Sequence, residues 1–90
     1  MAMEGMDPEV VEGIGRQLKT QGDAIQNVIT AVDQLVNQAE QSWKGPDATK
    51  FKSDWDGTHK PALTRAKTEV DQLGTTATTN ATQQRQTSAH

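Results

Sequence analysis

The chain has 90 residues with 12 acidic and 9 basic side chains, a net charge of −3 and no cysteine. That length holds one small domain, the missing cysteine excludes disulfide staples and thiolate metal sites, and the absence of a concentrated basic face excludes nucleic acid as a partner. Leu, Ile, Val and Phe fill only 14 positions, so the chain is too polar to fold well alone yet too weakly charged to be a solvated tail, and it should take apolar cover from a partner.

Residues 1–6 read as a flexible N-terminus, with neither the basic region nor the apolar stretch of a secretory signal. No window along the chain approaches 18 consecutive apolar residues, which argues against stable membrane insertion. Asp7-Pro8-Glu9 opens a helix predicted over 7–43: Asp7 caps the free amides, Pro8 suits the first helical position, and Glu9 and Glu12 face the positive end of the dipole. The apolar residues then fall on a seven-residue grid. Val11, Leu18, Ile25, Val32 and Ala39 form one row, Ile14, Val28 and Leu35 a second, and Gly15, Gly22, Ile29, Val36 and Trp43 a third. Three rows exceed the seam of a two-stranded coil, so this helix should contact more than one neighbour.

Trp43-Lys44-Gly45-Pro46-Asp47 stops the pattern and restarts it. Gly45 takes backbone shapes other residues resist, and Pro46 ends one hydrogen-bond ladder while opening the next. A turn at 44–46 leaves so short a connection that the two helices must be antiparallel neighbours. The second helix, over 47–74, shows Ala48, Phe51, Trp55, Ala62, Ala66, Val70, Leu73 and Ala77 on one face with Leu63 beside them, and a kink near 57–61 where the Pro61 ring displaces the carbonyl of Gly57. Beyond Leu73 no large apolar side chain appears, and residues 75–90 read as a polar, flexible tail.

The expected fold class is therefore all-α, an antiparallel helix-turn-helix hairpin. A rod two helices thick has no enclosed centre, and pairing two hairpins into a two-chain four-helix bundle covers the wide stripe. Val11, Ile14, Leu18, Ile25, Val28, Ile29, Val32, Leu35, Val36, Phe51 and Trp55 are the candidate interface. Catalysis has no foothold: the histidines are His59 and His90, and no serine sits in a nucleophile elbow. Asp54-Trp55-Asp56-Gly57 fails as a calcium loop because Lys52 and Leu63 would occupy its carboxylate positions, and Gly13-Ile14-Gly15 lacks the strand and later glycine of a dinucleotide site. No cofactor is expected.

Trp43-Lys44-Gly45 near mid-chain, followed by Asp47-Ala48, Phe51 and Trp55, resembles the WxG-motif family of small type VII secretion substrates, the early-secreted-antigen-like proteins, over residues 7 to 74. The resemblance implies a non-enzymatic helical hairpin, made in the cytoplasm of a bacterium and secreted without a cleaved signal. It pairs with a paralogous WxG protein or with itself and is driven by an FtsK/SpoIIIE-like ATPase. It also implies a recognition or packing role for Trp43, Lys44 and Gly45. The family's Tyr-x-x-x-Asp/Glu export signal is missing, since the chain has no tyrosine and no acidic residue after Asp71. This favours a signal-less member of a heterodimer carried by its partner's tail, with a homodimer as the other arrangement. The competing function is an intracellular coiled-coil adaptor or chaperone for a larger secreted toxin.

Overall fold

The computed structural model describes residues 5–88, and those residues are helical apart from a short lead-in and one turn, with no strand among them. α1 runs Pro8–Ser42. Asp7 caps it as its side chain predicts: Oδ1 accepts the backbone N–H of Glu9 at 3.1 Å and of Val10 at 3.3 Å, and Pro8 fills the first position, where no donor is needed. At the other end Lys44 Nζ donates to the Glu40 carbonyl at 2.7 Å, placing a cation on the negative end of the helix.

Trp43 is extended and Gly45 sits at φ 115°, ψ 179°, a region open essentially to glycine. α2 then starts at Pro46 and runs Pro46–Asp54. A π-helical turn, Trp55–His59, joins it to α3, Lys60–Ser88. The π turn is how the helix accommodates Pro61. The Lys60 N–H reaches back to the Trp55 carbonyl, one residue further than an α-helix allows, and the ring that would collide with a carbonyl four residues back is absorbed without a break. Where the sequence reading expects a kink near 57–61, the chain makes this π turn.

The two arms, α1 and α2 through α3, lie antiparallel as a hairpin measuring 67 × 16 × 16 Å. Its large-residue core lies in the half nearer the turn: Ile29, Val36 and Trp55 are buried, with Ile25, Val32 and Leu63 packed against them. Toward the termini the helices close to backbone distance. A Cβ built on Gly15 would lie 2.9 Å from the Gly74 carbonyl oxygen, and one built on Gly74 would lie 2.9 Å from that of Gly15.

This close approach explains the clearest difference from the sequence reading. The segment 75–90, expected as a flexible tail, continues α3 in helical form to Ser88; residues 89–90, like residues 1–4 of the expected flexible N-terminus, lie outside the described residues. Large apolar side chains are missing from this stretch, but the glycines let small ones suffice: Ala81 is fully buried and Ala77 half-buried. Lys19 Nζ donates to Thr75 Oγ1 at 2.8 Å, and Arg85 Nη1 donates to Glu12 Oε2 at 2.8 Å. The threonines that lower helix propensity turn their hydroxyls onto carbonyls four residues back, Thr78 to Gly74 and Thr82 to Thr78.

Candidate functional site

At the turn the chain exposes an aromatic pair. The rings of Trp43 and Phe51 are 5.2 Å apart and tilted by 51°, a favourable aromatic geometry, yet Trp43 keeps 41% of its surface in solvent. Beside them lies a groove of about 580 Å³ lined by Glu40, Trp43, Ala48, Lys52 and Asp56, with Lys44 and Gly45 at its rim. Lys52 crosses it, bonded to Asp56 at 2.8 Å and 3.6 Å from Glu40, and the Asp56 contact first, then Glu40, raises its pKa above the ordinary 10.5. A smaller notch of about 230 Å³ is walled by Val32, Val36, Phe51 and Trp55, with Asp54 and His59 at its edge.

The indole with a hydrogen-bonded N–H is Trp55, whose Nε1 donates to Asp33 Oδ1 at 2.8 Å while Asp33 Oδ2 holds Lys60 Nζ at 2.8 Å. One carboxylate thus pins both ends of the π turn to α1. The Lys60 bond chiefly, then the Trp55 bond, lowers the Asp33 pKa below its ordinary 3.8. Sequence reasoning missed Asp33 and Lys60. The signal lay in a fourth seven-residue row, Glu12, Lys19, Gln26, Asp33 and Glu40, next to the buried row of Gly15, Ile29 and Val36. Charges bordering a buried row point at whatever packs there, and Glu12, Lys19, Asp33 and Glu40 each meet a polar partner on the second arm.

The residues assigned to a chain–chain interface divide into two groups. Ile29, Val36 and Trp55 are buried inside the hairpin, and Val11, Leu18, Ile25 and Val32 are half-buried, because the two rows of α1 that carry them face the second arm. The remaining row stands open: Ile14, Val28 and Leu35 are 47%, 50% and 61% exposed, and Phe51 is exposed at the turn end. Charge follows the same division. Every charged residue of α1 falls on two adjacent rows, Glu9-Arg16-Asp23 and Glu12-Lys19-Asp33-Glu40. The outer surface from the row of Gly13, Thr20, Asn27, Gln34 and Gln41 round to Ile14, Val28 and Leu35 carries no charge. Among the described residues no helix is long and apolar enough to cross a membrane.

A family model, WXG100, described as proteins of 100 residues with WXG, matches residues 5–88. That span contains both arms, the Trp43-Lys44-Gly45 turn and the open row. No curated protein and no solved structure matches the chain.

Proposed function

From the premise that the chain belongs to the WXG100 family of small, helical type VII secretion substrates, we propose that it is exported as a pair of hairpins joined along the uncharged flank of α1, with the turn as the part presented to the export machine. The observation that carries this reading is the exposed tryptophan. A ring of that size left 41% in solvent beside a polar groove is poorly used as core and well placed as a recognition anchor. Gly45, at φ 115°, fixes the path of the chain there, and Lys44 is tied to the end of α1, so the turn is set before any partner arrives.

The family is one of secreted proteins rather than enzymes. In this reading the Tyr-x-x-x-Asp/Glu signal is supplied by another chain, a paralogue whose tail engages an FtsK/SpoIIIE-like ATPase. The test is secretion into culture medium by cells holding the export system. Trp43→Ala removes the contact with Phe51 and the partial burial of the ring, together less than the about 3 to 5 kcal/mol of a fully buried Trp, so the chain should still fold while export falls at least about tenfold. Normal export of a folded Trp43→Ala chain, or full export of the wild type with no signal-bearing chain present, defeats the proposal.

A further inference from the structure

Between the Gly45 turn and the π turn lies a helix with little to hold it. α2 has 9 residues, buries none of them, and begins without a side-chain cap. It is tied to α1 by two exposed contacts, the Phe51 ring against Trp43 and the Lys52 ammonium 3.6 Å from Glu40. Open space flanks it on both sides: the groove of about 580 Å³ beside Trp43, and the notch of about 230 Å³ where Phe51 stands off from Val32 and Val36. Its two ends are bounded differently. Gly45, at φ 115° and with no neighbour within 4 Å of the place a Cβ would take, is a joint with room to turn. At the far end Asp33 holds both the Trp55 indole and the Lys60 ammonium at 2.8 Å.

We infer that α2 is a hinged flap: it leaves α1 as a unit between Gly45 and the Asp33 clasp while α1 and α3 stay closed, and its opening uncovers the face of Trp43 that Phe51 covers. This rests on Trp43 being the recognition anchor. A helix of this length does not hold its shape in water by itself, so release of its two contacts also melts it. Neither contact is a strong tie, since an exposed ion pair contributes little and the ring contact is a single aromatic pair. The bonds to the Asp33 carboxylate are charge-assisted and stronger, and one of them is made by a buried indole. Opening therefore runs easily as far as residue 54 and stops at Trp55. Lys44 stays bonded to the Glu40 carbonyl at 2.7 Å, so Trp43 keeps its place at the end of α1 while its cover moves away.

Amide hydrogen exchange of the full chain at neutral pH, read residue by residue by NMR, tests this. Protection factors in residues 50–54 should be at least about tenfold lower than in 32–36 and 63–70. Phe51→Ala, which takes the ring off Trp43, should lower those of 50–54 by a further factor of about five and leave 63–70 unchanged. Asp33→Ala should carry the weak protection on through residue 60, with a fall of at least about tenfold in 55–60. A difference below about tenfold between 50–54 and 63–70 in the wild type overturns the inference, as does a Phe51→Ala effect that spreads equally into 63–70. Unchanged protection of 55–60 in Asp33→Ala overturns the clasp as the boundary of the flap. Export separates failure of the flap from failure of the anchor. If residues 50–54 open as expected and a folded Trp43→Ala chain is exported normally, the motion stands and its use in recognition falls. If residues 50–54 are as protected as 63–70 and Trp43→Ala abolishes export, the anchor stands and the flap falls.

Discussion

The two halves of the hairpin hold together by opposite means. Near the turn, Trp55 fills the space between helices against Ile29 and Val36, and Asp33 ties it down through the indole N–H. Near the termini no large side chain is fully buried, and Gly15 and Gly74 let the two backbones close on each other, with Leu18 and Lys19 beside Gly74 and the Asp71 carboxylate over Gly22. Volume is the currency in the first half and its absence in the second. A pair of rods can therefore stay parallel over 67 Å with few large apolar residues, provided one end is filled and the other is emptied. It also leaves the row of Ile14, Val28 and Leu35 unspent, available for another chain.

The sharpest way to break this contrast is Trp55→Ala. Removing a buried Trp costs about 3 to 5 kcal/mol, and it strands the Asp33 oxygen that accepts the indole. The expected outcome is a large fall in melting temperature at fixed protein concentration, with hydrogen exchange rising first in residues 25–36 and 55–63. Equal loss of protection along the whole rod would mean that the halves are one cooperative unit. Gly45→Ala comes next. At φ 115°, ψ 179° a Cβ is strained whatever the space around it, and about 1 to 3 kcal/mol should be lost from the turn without change at the open end.

The filled half is legible in the sequence and the emptied half only in part, through Gly15 and Gly22 sharing a row where close helix approach is possible. Row spacing picked out Ile29, Val36 and the turn at Gly45 because large side chains and a Gly-Pro step declare themselves one residue at a time. The seven-residue grid also put Gly15 and Gly22 in the buried row, but nothing local pairs them with Gly74, more than 50 residues away. The threonine-rich stretch after it looked too polar to be held for the same reason. Asp33 was hidden differently: a lone carboxylate on a helix reads as solvated until the indole and ammonium facing it are known. The turn's role is open in the sequence because a tryptophan beside glycine serves packing and recognition equally well.

Two glycines two residues apart sharpen the account of the emptied half. Gly15→Ala pushes a methyl into the Gly74 carbonyl, at 2.9 Å, and overpacking of this kind costs about 1 to 3 kcal/mol against about 1 gained from the better helix former. A net loss of about 1 kcal/mol is expected. Gly13→Ala, whose methyl would meet only the end of the Arg16 side chain at 3.7 Å, should instead stabilise by up to about 1 kcal/mol. Opposite signs in thermal melts support close approach as the constraint at Gly15. Two stabilising substitutions would show that the helices have room to part.

The smallest effect belongs to the ion pair that closes the open end. Arg85 Nη1 lies 2.8 Å from Glu12 Oε2, and this hydrogen bond is the leading cause that lowers the Glu12 pKa below its ordinary 4.5. A carboxylate whose pKa is lowered by folding adds stability above its unfolded value and loses it as pH falls through the folded one, so the contribution is present at neutral pH and fades below about pH 4. Arg85 is exposed and Glu12 partly so, and the pair is screened by water and salt. Arg85→Gln should therefore move the melting temperature only slightly at pH 7, flatten its decline between pH 5 and 3, and raise hydrogen exchange within residues 75–88 while leaving Trp55 and its neighbours protected. Faster exchange at residues 25–36 in Arg85→Gln would show that the end contact supports the filled half as well, and would dissolve the division between the two.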